Sequence, residues 1–196
     1  MFYKSKNYIF AQNKNIKMKA HILSGLLLGT LFVSCKNDKP AEEIVKPESK
    51  TFTVTFNAVV EKDDTFQVFY NEDGGDVFAP EDAVTINITG KKDPQNIVFE
   101  LPKEIMPMAL RFDIGANKEL KQVSFNSFKI EYLDKKIEAS KGEFFKYFYP
   151  NTQVEIDSIN AVAKMIDLKD GGYDPILGSR VELKQQIEGL YAKKAE

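Results

Sequence analysis

Apolar and polar residues alternate with period two along most of the chain after residue 50. In 51–56, Phe52, Val54 and Phe56 share one face with threonines between them, the pattern of a strand buried on one side. Residues 64–70 repeat it with Phe66, Val68 and Tyr70 on one face and Phe69 alone on the other. Strands follow at 83–89 (Val84, Ile86 and Ile88 inward), at 95–101 closed by Pro102, and at 108–114 (Leu110, Phe112 and Ile114 in register). In 123–133, Val123 and Phe125 fall on one face while Phe128, Ile130 and Tyr132 fall on the other, so a bulge or bend is expected partway. Residues 153–159 and 161–168 read as closing strands around a turn. The aromatic run 142–150 reads as a short helical turn plugging one end.

Gly, Pro, Asp and Asn punctuate these segments and no helical period lies between them. That pattern predicts an all-β, antiparallel β-sandwich over 51–175. About 145 residues suffice for one domain with a real core. At the end, Ser179 with Glu182 forms a capping-box pattern, and Leu183, Ile187, Leu190 and Tyr191 share one helical face. A short helix over 176–196, packed on or beside the sandwich, is therefore expected, with Gly189 weakening it.

Ahead of residue 50 the pattern changes. Lys14, Lys17 and Lys19 precede an apolar run from Ile22 to Val33, then Ser34 and Cys35. The run is shorter than the roughly 18 apolar residues that span a bilayer. Charge, apolar length and the small residue before cysteine resemble the signal of bacterial lipoproteins. The resemblance implies cleavage before Cys35, lipid on its sulfur and acylation of the new amino terminus. Lipid chains anchor through burial of about 0.8 kcal/mol per methylene. Phe32 stands where the commonest pattern has Leu, and Leu31 precedes it. The other reading is a buried helix whose free cysteine packs as a small hydrophobe. Met18 is a better start than Met1 for such a signal. Residues 1–35 are thus read as leader and signal, and 36–50, rich in Lys, Glu, Pro and Asp, as a flexible tether. Lys36, Asn37 and Asp38 resemble the surface-export signals of Bacteroidetes lipoproteins, against the plainer reading of a solvated linker. The expected location is the outer membrane or cell surface.

Charge and missing residue types narrow the chemistry. Removing the five lysines ahead of Cys35 leaves 22 basic against 29 acidic residues, a net charge of −7. Such a chain, lacking a basic stripe, is not expected to bind nucleic acid. Repulsion from anionic lipid leaves the membrane contact to the lipid on Cys35. The only cysteine is Cys35 and the only histidine is His21, so the chain after Cys35 holds no His, thiol or Trp. Ser-His-Asp triads, cysteine nucleophiles, His-ligated zinc and disulfides are excluded together. Gly90-Lys91-Lys92 lacks the upstream Gly and the hydroxyl residue of a phosphate loop.

The strand segments Asp64 to Tyr70, Gln95 to Pro102, Leu110 to Gly115 and Val123 to Ile130 resemble jelly-roll accessory domains similar to carbohydrate-binding modules. The resemblance covers about a third of the chain and implies a sandwich and a sugar ligand. Sugar stacking needs an exposed ring beside polar groups, for which Tyr147, Tyr149 and Tyr173 are candidates, with Tyr70 next; core or edge packing is the alternative for each. Calcium needs converging oxygens, which Asp73, Asp76, Glu81 and Asp82, or Asp170 and Asp174, carry; solvated turns are the alternative. That structural calcium is the sole cofactor suggested. Arg111 and Asp113, two apart on one strand, are expected to face outward and pair with each other. Asp157-Ser158-Ile159 resembles a Bacteroidetes O-glycosylation tripeptide. The expectation is a non-enzymatic, membrane-anchored lipoprotein whose sandwich binds a carbohydrate or other cell-envelope ligand. The alternative is a structural or assembly lipoprotein that contacts an envelope protein through the aromatic residues from Phe144 to Tyr149. A glycosidase, which needs two flanking carboxylates, comes third.

Overall fold

The computed structural model describes residues 50–168 and 172–192. Cys35 with its signal segment, the tether as far as residue 49, and Asp170 lie outside the described residues. Among the described residues, no helix is long and apolar enough to cross a membrane.

The strands are β1 (Thr53–Val59), β2 (Asp64–Asn71), β3 (Ala83–Ile88), β4 (Gln95–Glu100), β5 (Ala109–Asp113) and β6 (Gln122–Tyr132). They continue with β7 (Lys135–Ser140), β8 (Phe148–Pro150), β9 (Val154–Asp157), β10 (Val162–Met165) and β11 (Ile176–Ser179). A 3₁₀ turn (Lys141–Lys146) links β7 to β8, and α1 (Val181–Tyr191) follows β11. Two antiparallel sheets form the sandwich. The first runs β4-β1-β6-β10-β9 with β7 also on β6, and the second runs β3-β2-β5-β11-β8.

Alternation in the sequence becomes burial in the fold. Phe52 just ahead of β1 and Val54, Phe56 and Ala58 within it are fully buried, as are Phe66 of β2 and Phe112 of β5. The sheets meet through rings: Phe56 of the first lies stacked on Phe112 of the second, centroids 4.0 Å apart and 7° from parallel. Each such pair contributes about 1 kcal/mol beyond its buried area. The expected irregularity in β6 is a bulge. Asn57 opposes Ser127 and Ala58 opposes Phe125, which leaves Asn126 unopposed. One extra residue resets the phase, so Val123, Phe125, Phe128 and Ile130 all reach the core.

The aromatic run plugs the sandwich, as expected. The 3₁₀ turn carries the chain from one sheet to the other, and Phe144 stacks between Phe125 at 4.4 Å and Phe148 at 4.7 Å. Phe144, Phe145 and Phe148 are buried. These three rings belong to the core, while Tyr147 of the same run is half-buried and Tyr149 reaches the surface.

Helix α1 buries Leu183, Ile187 and Leu190, as its spacing predicts. Its cap differs from expectation. Ser179 ends β11, where its buried hydroxyl accepts the Leu110 N–H at 3.1 Å, and Arg180 occupies the N-cap without a side-chain capping bond, its Nε donating instead to the Phe148 carbonyl at 2.9 Å. Strand β11 sits inside the second sheet between β5 and β8, so the sandwich extends past residue 175 to Ser179.

Candidate functional site on the second sheet

Because Leu110, Phe112, Leu177 and Phe148 point inward, their neighbours along β5, β11 and β8 point outward. Register aligns these outward positions across the sheet. Tyr149 lies opposite Gly178, Gly178 opposite Arg111, Arg111 opposite Phe69 and Phe69 opposite Ala83. A second row runs Ile176, Asp113, Gln67 and Thr85.

Tyr149 is 39% exposed. A Cβ on Gly178 would stand 2.5 Å from the Tyr149 Cζ and 2.7 Å from its hydroxyl, so the phenol lies directly across that glycine. The missing side chain is what lets the ring rest against the sheet.

Arg111 and Asp113 pair as expected, through Nε to Oδ1 and Nη2 to Oδ2, both at 2.8 Å. The guanidinium also sits 4.0 Å from the centroid of the Phe69 ring and 5.7 Å from that of Phe78. It covers Phe69, which is buried although it faces outward. Burial pushes the Asp113 carboxyl above its ordinary value, and the Arg111 hydrogen bond and charge offset only part of that. Gln67 Nε2 donates to Thr85 Oγ1 at 2.9 Å beside the pair.

The other candidate tyrosines are elsewhere. Tyr147 accepts a hydrogen bond from Gln186 of α1 at 2.9 Å and packs against the core. Tyr173 is half-buried with the Lys118 ammonium 5.6 Å from its ring centroid, and burial, then Asp64 and Asp167, raise its phenol. The ring of Tyr70 is in the core.

The acidic loop between β2 and β3 is held by its own hydrogen bonds. Asn71 Nδ2 donates to Gly75 O and Val77 O, and Asp73 Oδ1 accepts the Gly75 N–H. Asp76 pairs with Lys184 of α1 at 2.8 Å. Asp73 and Asp82 line one cavity of about 590 Å³ together with Tyr70, while Asp76 and Glu81 are not part of its wall. Among the described residues, no three Asp, Glu, His or Cys side chains are placed to hold a metal ion. The carboxylate of Asp174 acts at a distance on Asp113, while its backbone bonds Gln153 and Asn151.

One carboxylate is structural. Asp64 is buried, and its Oδ1 accepts the N–H groups of Thr65, Ala116 and Asn117 at 2.7–3.1 Å. It ties the start of β2 to the turn after β5. Gly115 makes room there, at φ +112°, because a Cβ would lie 2.4 Å from Asp64 Oδ2.

Sequence reasoning did not find Gly178 or Phe78 as parts of the outer face. The out-of-phase Phe69 in β2 was the available signal. Compared with family models, curated proteins and solved structures, the chain matches none.

Proposed function

We propose that this chain is a non-enzymatic, lipid-anchored envelope protein whose sandwich binds carbohydrate on the outer face of the second sheet. The observation that carries the reading is the Tyr149 ring lying across Gly178, one strand from the Arg111–Asp113 pair. A ring held against a sheet offers its free face to the apolar side of a sugar. Arginine, carboxylate and amide groups beside it match the hydroxyls that flank such a face. The lipoprotein-like sequence ending at Cys35 supports an outer-membrane or cell-surface location.

The test is migration of the purified full chain in native gels cast with a panel of polysaccharides. The reading expects retardation by at least one polymer, weakened about fivefold by Tyr149→Ala, the value of one aromatic contact. Gly178→Ala does the same by lifting the ring. Tyr147→Ala, whose partner is Gln186, leaves retardation unchanged. Free migration on every polymer, or full retardation of Tyr149→Ala, overturns the proposal.

A further inference from the structure

Arg180 stands where folding alone does not ask for a cation. It occupies the N-cap of α1, a position that favours Ser, Thr, Asp or Asn, and its side chain makes no capping bond. The positive end of the helix dipole disfavours its charge there as well. Its backbone is extended (φ −76°, ψ 166°), and its N–H donates to the Tyr147 carbonyl at 2.7 Å. The ladder between β11 and β8 therefore runs one pair beyond Ser179 and Phe148. Alternation from Gly178 puts Arg180 on the outer face of the second sheet.

The side chain crosses to β8. Its Nε donates at 2.9 Å to the Phe148 carbonyl, in the peptide that joins Phe148 to Tyr149. Arg180 is also the diagonal neighbour of Tyr149 across the ladder, a spacing of roughly 7 Å that long side chains bridge. Among the described residues, its Nη1 and Nη2 have no partner, and no carboxylate pairs with it, that of Glu182 included. Arg111, Lys146 and Lys184 on neighbouring elements each face a carboxylate at 2.8–3.5 Å.

We infer that the carbohydrate site on the second sheet takes an acidic glycan, with Arg180 binding the carboxylate of a sugar stacked on Tyr149. This rests on the carbohydrate reading and narrows its ligand. The uncommitted end of the guanidinium presents Nη1–H and Nη2–H as two parallel donors, which match the two oxygens of a carboxylate. The Nε bond already orients that fork, so little freedom is lost when the anion arrives. Arg111 cannot serve instead, because Asp113 holds its Nε and Nη2. The net charge of −7 after Cys35 is screened beyond about 8 Å at physiological salt, whereas this contact is direct.

The experiment measures the Kd of the purified full chain for polygalacturonate, alginate and hyaluronan by native-gel retardation. Each polymer is also tested after reduction of its carboxyls to primary alcohols. At least one acid form binds about tenfold more tightly than its reduced form, the value of a hydrogen bond to a charged group. Arg180→Gln weakens binding of the acid form about tenfold and makes it less sensitive to added salt. Tyr149→Ala weakens both forms. The comparison of acid and reduced polymers uses the unaltered chain, so it decides even where Arg180→Gln disturbs β8. Reduced polymers that bind as tightly as the acid forms overturn the inference and leave the carbohydrate reading standing. Unchanged affinity for the acid form in Arg180→Gln does the same. Free migration on every polymer overturns both.

Discussion

Among the described residues, three ion pairs join residues two apart on one strand, and they end up in unlike surroundings. Lys129–Glu131 and Lys136–Glu138 lie on the outer face of the first sheet at 2.8 and 3.0 Å. Their side chains are 36% to 62% exposed, among Thr53, Asn57, Asn96 and Ser127. Arg111–Asp113 lies on the outer face of the second sheet, also at 2.8 Å, but its side chains are only 26% and 13% exposed. Phe69 lies under the guanidinium and Phe78 beside it. Spacing is the same in all three, so neighbouring strands and the loop between β2 and β3 make the difference. One outer face is a solvated surface of short polar groups. The other gathers rings and a half-enclosed ion pair where folding alone asks for neither.

That contrast breaks most easily at Asp113. Asp113→Ala leaves the Arg111 guanidinium mostly buried and unpaired, and about 3 kcal/mol of stability should go, read from urea denaturation. Glu131→Ala, its counterpart on the first sheet, should lose about 0.5 kcal/mol or less. Equal losses would make the two faces alike.

A smaller effect separates them by pH. The folded Asp113 carboxyl lies above its ordinary value of 3.8, so the folded chain holds that proton more tightly than the unfolded one. Its stabilisation is complete below the unfolded value and disappears as pH rises through the folded one. Asp113→Asn should flatten that component of the stability profile, and Arg111→Met should raise the carboxyl further, seen by ¹³C NMR. A carboxyl that titrates below 3.8 in the native chain contradicts the prediction. The smallest effect belongs to Lys136→Ala, which should change stability by about 0.5 kcal/mol or less and respond to salt.

Much of the fold was legible because one side of nearly every strand carries the apolar residues. Phe52, Val54 and Phe56 announce β1, and the phase change after Phe125 announces the bulge. Strands β7, β8 and β11 were hidden for stated reasons. In Lys135–Ser140 only Ile137 and Ala139 are apolar, and Ile176–Ser179 is short and carries a glycine. Ser179 fits a capping pattern that its burial beside Leu110 overrides. At the site, the Arg111–Asp113 pairing followed from strand geometry. The seat of Tyr149 did not, because it depends on the register between β8 and β11, separated by more than twenty residues of sequence. Tyr147, Tyr149 and Tyr173 look alike in the sequence and part in space for the same reason.

Strand β1 is the first strand among the described residues, yet it lies between β4 and β6 rather than at an edge of its sheet. Its ladders to both neighbours run perpendicular to its own axis. Tension entering at residue 50 along that axis therefore loads both ladders at once, as a lap joint is loaded, instead of peeling them bond by bond. A body tugged from its amino end would yield only when the whole strand slips between its neighbours.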